Sequence, residues 1–298
     1  MFHQRAIHLE ILVSAVVCLS ACSGSGTSVP PPATAVTEPA SQTSGEALGA
    51  NDAPSASAPA DSPEPPAPPA PPSGTGAELA AQVVAAPDRS EADRGKDALR
   101  HPQELLTFLE LAPGMRIADL GAGSGYTTEL LARSVGPQGR VYGQNIKYVL
   151  EKFVKESWPA RLEKPVMANV VRVDSELDKP LPEEAKDLDR VTMIFFYHDA
   201  VGQQVDMKAM NAAIYAALKP GGLFVIADHS ARAGSGTSDT KELHRIDPEA
   251  VKSQLVEAGF EFVESADFLR DSSDTLDWKV YERGFKTDRF VLKFRRPN

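Results

Sequence analysis

Three alternate glycines, Gly121, Gly123 and Gly125, follow the apolar stretch Ile117-Ala118-Asp119-Leu120 and lead into the amphipathic segment Tyr126–Val135. A strand, a glycine loop and a helix start in that order suit a nucleotide-like ligand. Glycine lets the loop backbone approach a bound molecule closely, and a helix start offers unpaired N–H groups. The dinucleotide fingerprint is G-x-G-x-x-G. Here Tyr126 stands at its third position and a glycine falls one residue early, which argues against a dinucleotide. Asp119, two positions before the first glycine, would repel a pyrophosphate and attract a cationic group.

The elements that must position this loop follow from hydrophobic periodicity and turn residues. Leu79, Val83 and Val84 open a helical pattern, Ser90 starts a polar helix to Arg100, and Pro102 starts another that stops at Pro113-Gly114. A strand over 115–120 and a helix from Tyr126 to Val135 come next, then a turn at Gly136-Pro137-Gln138-Gly139 and a strand over 140–144. The pattern predicts a helix over 148–158, a strand over 169–173, and a strand over 190–197. Met210, Ile214, Ala217 and Leu218 form a helical stripe before Lys219-Pro220-Gly221-Gly222, and 223–227 is a continuous apolar strand of the buried parallel kind. Asp247 caps a helix with Pro248 in its first turn and Gly259 at its stop, and 260–263 and 290–294 close the chain as strands. This alternation is βαβ, a doubly wound sheet with ligands at the carboxyl ends of its strands.

The 298 residues carry a net charge of −10, but the first quarter is built from different material. Residues 11–21 are an unbroken run of apolar or small residues after a weakly basic start, too short to span a bilayer and suited to a signal peptide. The run ends Leu19-Ser20-Ala21-Cys22, which resembles the lipobox of bacterial lipoproteins, so residues 1–22 are expected to be a lipoprotein signal peptide and Cys22 a lipidated membrane anchor. Residues 23–78 are rich in Pro, Ala and Ser and are expected to be a disordered linker, with one globular domain over 79–298. Cys18 and Cys22 are the only cysteines, which excludes a disulfide or cysteine metal site in that domain. Its own net charge is only −4, which gives no basic footprint for nucleic acid.

Two motifs carry a family resemblance: residues 119–125 after a strand, and Leu218-Lys219-Pro220-Gly221-Gly222-Leu223 about 100 residues on, with βα units between. Together they resemble the glycine loop and the entry to the fifth strand of the class I S-adenosylmethionine-dependent methyltransferases. Within that family the chain is most similar to the exported "predicted methyltransferase" group, through Asp97, Arg100-His101-Pro102, Tyr197-His198-Asp199, Asp228-His229 and Leu243-His244-Arg245. The resemblance implies a Rossmann-like, mostly parallel seven-stranded sheet ending in an antiparallel hairpin, and S-adenosylmethionine as cofactor. It further implies that Asp119, Gly121, Ala122, Gly123, Ser124, Gly125 and Tyr126 face the methionine part. Asn145 would stand where family members grip the ribose with an acid, Asp174 would read the adenine amino group, and Tyr197 would close the fourth strand beside the cofactor. An amide at Asn145 forfeits the charge-assisted bidentate grip of a carboxylate.

Methyl transfer asks the protein for alignment, exclusion of water and, where the nucleophile must lose a proton, a base. His198, expected to close the fourth strand, is the first candidate base, and His229, closing the fifth, is the second. His244 beside Arg245 reads as structural. Imidazoles with carboxylates also suit zinc or iron, but no H-x-x-x-H or comparable local spacing is present, and no metal is expected. The run Gly234-Ser235-Gly236-Thr237-Ser238 reads either as a lid or as a flexible connection. The expectation is a lipid-anchored enzyme of the cell envelope that methylates a small molecule. Because S-adenosylmethionine is made in the cytoplasm, the alternative is a non-catalytic envelope binding protein on the same fold. An NAD-dependent oxidoreductase fails on the glycine spacing and on the missing acid after the second strand.

Overall fold

The computed structural model describes Gly74 and residues 76–298. The expected signal peptide, Cys22 and nearly all of the linker lie outside the described residues. No helix among the described residues is long and apolar enough to cross a membrane.

Three helices lead in. α1 (Gly76–Ala85) buries Leu79, Ala80 and Val83. α2 (Glu91–Arg100) is capped by the Ser90 hydroxyl, which accepts from the Asp93 N–H. α3 (Pro102–Phe108) begins on a proline, whose missing N–H costs nothing in a first turn. The sheet then assembles from β1 (Arg116–Leu120), β2 (Arg140–Asn145), β3 (Val170–Asp174), β4 (Leu188–Ile194), β5 (Leu218–His229), β6 (Glu261–Ala266) and β7 (Arg289–Arg295). Its order is β3-β2-β1-β4-β5-β7-β6, with β7 antiparallel to both β5 and β6 and the other pairs parallel. The seven-stranded, mostly parallel sheet expected from the sequence is the sheet observed.

The chain runs outward from β1 to β3 and then returns to the other side of β1 with β4, so the strand order switches between β1 and β4. Doubly wound sheets open a ligand crevice at the carboxyl end of such a switch. α4 (Tyr126–Val135) starts there, and all of its residues are buried, because α3 and the sheet cover one side and polar groups of α2 the other.

Three expectations about elements are corrected. The helix expected over 148–158 is two short ones, α5 (Lys147–Lys152) and α6 (Ser157–Leu162), broken where Phe153 leaves helical geometry at φ −123°. The break turns Trp158 inward to full burial over β2, where a Cβ on Gly143 would lie 2.8 Å from the indole Cη2. Second, Tyr197-His198-Asp199 do not close β4. Phe195 adopts a left-handed φ of +60°, the chain reverses, and these residues open helix α7 (Tyr197–Gly202). Third, the Lys219-Pro220-Gly221-Gly222 turn is absorbed into β5 as an irregularity, where pairing with β4 jumps from Leu188↔Leu218 to Arg190↔Leu223. The remaining helices, α8 (Met207–Ala217) and α9 (Pro248–Glu257), lie where periodicity puts them, α9 with Asp247 accepting from the Glu249 N–H as its cap.

Candidate functional site

β1 ends in the glycine loop, and all three alternate glycines are left-handed, at φ +67° for Gly121, +56° for Gly123 and +84° for Gly125. Only glycine adopts that geometry without steric cost. Their surroundings differ. A Cβ on Gly121 would lie 2.3 Å from Phe196, and one on Gly125 2.5 Å from Trp158, so these two allow close packing. A Cβ on Gly123 would meet nothing within 4 Å, so the middle of the loop faces open space.

The loop is tied down by its neighbours. The Gly121 N–H donates to Gln144 Oε1 (3.0 Å), and the Ala122 N–H to the Gln144 carbonyl (2.8 Å). Asn145 uses both ends of its amide on Gly123, accepting from its N–H (2.8 Å) and donating to its carbonyl (3.0 Å). The Gly125 N–H closes a turn onto Ala122 O (2.9 Å). Arg161 Nε donates to the Ser124 carbonyl (2.5 Å), and its guanidinium also holds Asp93 and Glu129. The N–H groups of Gly121, Ala122, Gly123 and Gly125 are thus partnered within the protein, and the Asn145 amide is engaged on the loop.

Asp119 lies beneath the loop, 1% exposed, accepting from the Thr128 hydroxyl (2.6 Å) and the Thr192 hydroxyl (2.8 Å). Burial raises its pKa to about 6, against the opposing pull of the two hydroxyls. It supports the loop from behind. Tyr126 donates its hydroxyl to Asp97 (2.6 Å) and carries the Arg100 guanidinium 4.9 Å from its ring centre, tying α2 over the loop. Asp174 ends β3 on the surface in an ion pair with Arg172 (2.8 Å). Tyr197 points away from the loop. Its hydroxyl donates to Gln254 of α9 (2.8 Å) and accepts from Asn211 of α8 (3.2 Å), because the turn at Phe195 swings it to the far side of α7.

Phe195 occupies the switch-point crevice instead. Arg100 and Arg289 stand 5.4 and 5.5 Å from its ring centre, and the His229 ring stacks on it at 5.2 Å. Arg289 donates to the carbonyls of Thr287 (3.2 Å) and Leu99 (2.7 Å), and neither arginine has a carboxylate within ion-pair distance among the described residues. Burial, followed by the repulsion of Arg100, holds the Arg289 pKa down at about 10. A bulky residue at positive φ between two unpaired guanidiniums is a place where the fold stores strain, as sites that act on ligands do. Sequence reasoning missed Phe195, Arg289, Gln144 and Arg161. A positive φ and a long-range arginine pairing leave no mark in local periodicity.

His198 is fully buried. Its Nδ1 contacts Asp228 Oδ1 at 2.6 Å, its backbone N–H donates to Asp228 Oδ2 (2.8 Å), and its Nε2 lies 3.3 Å from Asp199 Oδ1. Burial alone would lower its pKa, but Asp199 and Asp228 outweigh that and raise it to about 10. Sealed from solvent and enclosed by two carboxylates, this imidazole presents no free edge to an acceptor. His229 differs. Burial, followed by the charge of His198, pushes its pKa well down, so it is neutral. Its Nδ1 lies 2.7 Å from the Thr287 hydroxyl, a hydrogen bond that fixes the orientation of the ring. His244, expected to be structural, contacts Asp199 through Nδ1 at 3.0 Å.

Residues 99–182 match the family model of protein-L-isoaspartate(D-aspartate) O-methyltransferases. Over 82 residues the chain is 39% identical to the protein-L-isoaspartate O-methyltransferase of Aeropyrum pernix, which is 27% of this chain and 30% of that one. It is 33% identical over 128 residues to the trans-aconitate 2-methyltransferase of Paracidovorax citrulli, 43% and 44% of the two chains. A crystal structure of a SAM-dependent methyltransferase from Aquifex aeolicus superposes with a TM-score of 0.50, at 18% identity, over 72% of this chain and 97% of that one. The fold is that of the class I methyltransferases. The sequence matches span less than half of either relative and do not carry those proteins' acceptors across to this chain.

Proposed function

We propose that the protein is an S-adenosylmethionine-dependent methyltransferase acting on a small-molecule acceptor. The observation that carries this reading is Gly123, left-handed and facing open space at the carboxyl end of β1, in a loop preset by Gln144, Asn145 and Arg161. Such a loop accepts the methionine part of the cofactor by shape, with Arg100 as the nearby cation for its carboxylate. The cofactor supplies a methyl group on a sulfonium, which is already a strong electrophile.

The chain's own task is then to seat the acceptor and exclude water. Phe195 lends the crevice its apolar wall, and Arg289 offers a positive charge beside it. His229, stacked on the same ring and kept uncharged by burial, is the residue we assign to receive a proton from an acceptor hydroxyl or amine. The cofactor assignment is tested by calorimetry with S-adenosylmethionine and S-adenosylhomocysteine. The chain used must keep α1, whose Leu79, Ala80 and Val83 belong to the core. Micromolar binding of both is expected, and binding of neither would remove the assignment.

Anchoring through a lipidated Cys22 is part of the same proposal, supported by the Leu19-Ser20-Ala21-Cys22 sequence. Cys22→Ser should move the protein from the membrane fraction to the soluble one. Partition that does not change would sink the anchor. Robust cofactor binding with no transfer of label to any envelope extract would turn the reading to a binding protein on this fold.

A further inference from the structure

Four side chains form a buried chain at the carboxyl ends of β4 and β5, in the order Asp228, His198, Asp199, His244. They come from three places: the end of β5, the first turn of α7, and the connection between β5 and α9, where His244 sits at a left-handed φ of +57°. The ligating atoms of His198, Asp199 and His244 all lie within 4.8 Å of one another. The expectation of no metal rested on local spacing, and the fold brings these groups together without it.

We propose that His198 Nε2, Asp199 and His244 Nδ1 bind one divalent transition-metal ion of the zinc and iron class, with Asp228 holding His198 in the ligating tautomer. Three observations lead there. The first is bonding: His198 Nε2 and Asp199 Oδ1 are 3.3 Å apart, yet Nε2 has no hydrogen-bond partner and Asp199 Oδ2 has none either. Buried ligating atoms left without hydrogen bonds beside one another are open to a shared ion, and the His244 Nδ1–Asp199 Oδ1 hydrogen bond (3.0 Å) is one that the ion would replace. The second is size. Asp199 Oδ1 stands 3.3 Å from His198 Nε2 and 3.0 Å from His244 Nδ1. Ligands about 2.0 to 2.1 Å from a tetrahedral ion are roughly 3.3 Å from each other.

The third is charge and tautomer. Two buried carboxylates face two imidazoles, so neutral imidazoles leave two negative charges, which one divalent ion cancels. Asp228 on His198 Nδ1 (2.6 Å) is the carboxylate–histidine arrangement that fixes a ligand's ring and raises its basicity. Two imidazoles and one carboxylate suit zinc and iron among divalent ions. The donors come from α7 and from the 230–247 connection, so an ion there would pin that connection over the crevice. Ligation through Nε2 would occupy the lone pair of His198 and require that nitrogen unprotonated, so ion affinity should fall with falling pH.

The test uses the full-length protein, stripped with chelator and dialysed against Zn²⁺, or against Fe²⁺ without oxygen, and read by elemental analysis. About one equivalent of ion per chain is expected, with a melting temperature that rises with free metal. Asp228→Asn leaves all three ligands in place and should weaken binding about 10- to 100-fold. His244→Ala, at the more accessible end of the cluster, should lose the ion while keeping native circular dichroism. Retention of less than a tenth of an equivalent of either metal by the wild type would overturn the proposal. So would undiminished retention in both His244→Ala and Asp199→Asn. The readout is metal content, so failure of the methyltransferase reading would leave this result intact, and the reverse.

Discussion

The glycine loop and the histidine cluster sit at neighbouring strand ends of one sheet and are built by opposite means. The loop, residues 121–125, is held mainly by neutral hydrogen bonds from Gln144 and Asn145 on the adjacent strand, with Arg161 on Ser124 O, and its shape depends on the absence of side chains. The cluster of His198, Asp199, Asp228 and His244 is held by buried charge, and every member matters through what it carries. Neutral short-range bonds tolerate change in proportion to the atoms altered. Buried charges do not, because removing one leaves its partner uncompensated in a low-dielectric interior.

The largest effect should therefore come from the cluster. His198→Ala strands Asp199 and Asp228 together and should cost about 3 to 5 kcal/mol of stability in urea unfolding, with cofactor affinity lost only as the fold is lost. A His198→Ala protein of normal stability but greatly reduced turnover would restore that histidine as the base. Within the loop, Gly121→Ala drives a methyl into Phe196 at a left-handed φ and should cost about 2 to 4 kcal/mol. Gly123→Ala has no neighbour to strike and should cost only about 1 to 2 kcal/mol. Its signature is a fall in S-adenosylmethionine affinity out of proportion to stability. Equal losses of stability in these two variants would erase the distinction between a packing glycine and a ligand-facing one.

The smallest expected effect concerns Asp119, where the loop region borrows the cluster's method. Its folded pKa of about 6 lies above the unfolded value of 3.8, so the native state holds the proton more tightly. The carboxyl thus burdens the fold above pH 6 and is relieved as pH falls toward 3.8. Relative to Asp119→Asn, the wild type should gain about 1 kcal/mol between pH 7 and 5, a shift of a few degrees in melting temperature. A wild type that loses ground to the variant over that range would mean that Asp119 is stabilised as a carboxylate.

The loop half was the more legible half. Tyr126–Val135 is read from sequence to the residue, as are the Ser90 and Asp247 caps, because a glycine loop, a cap and an apolar stripe are local signals. The cluster half was legible in composition and not in role. Tyr197-His198-Asp199 reads as a strand end because nothing in the letters announces the reversal at Phe195. His198 and His229 look alike in sequence. Two carboxylates around one ring and none against the other shift their pKa values in opposite directions, and one of those carboxylates, Asp228, arrives from a distant part of the chain. Asn145 shows the same limit from the other side. Its place at the end of β2 was read correctly, but its partner was the protein's own backbone.

That amide has a thermodynamic consequence. By clasping both peptide groups of Gly123, Asn145 continues the β2 edge onto the loop as a side-chain rung, so the loop's configurational entropy is surrendered when the chain folds. A molecule arriving at the loop meets a surface already set. The ordering cost of association then falls on the visitor and its hydration, and the protein's share was settled at folding.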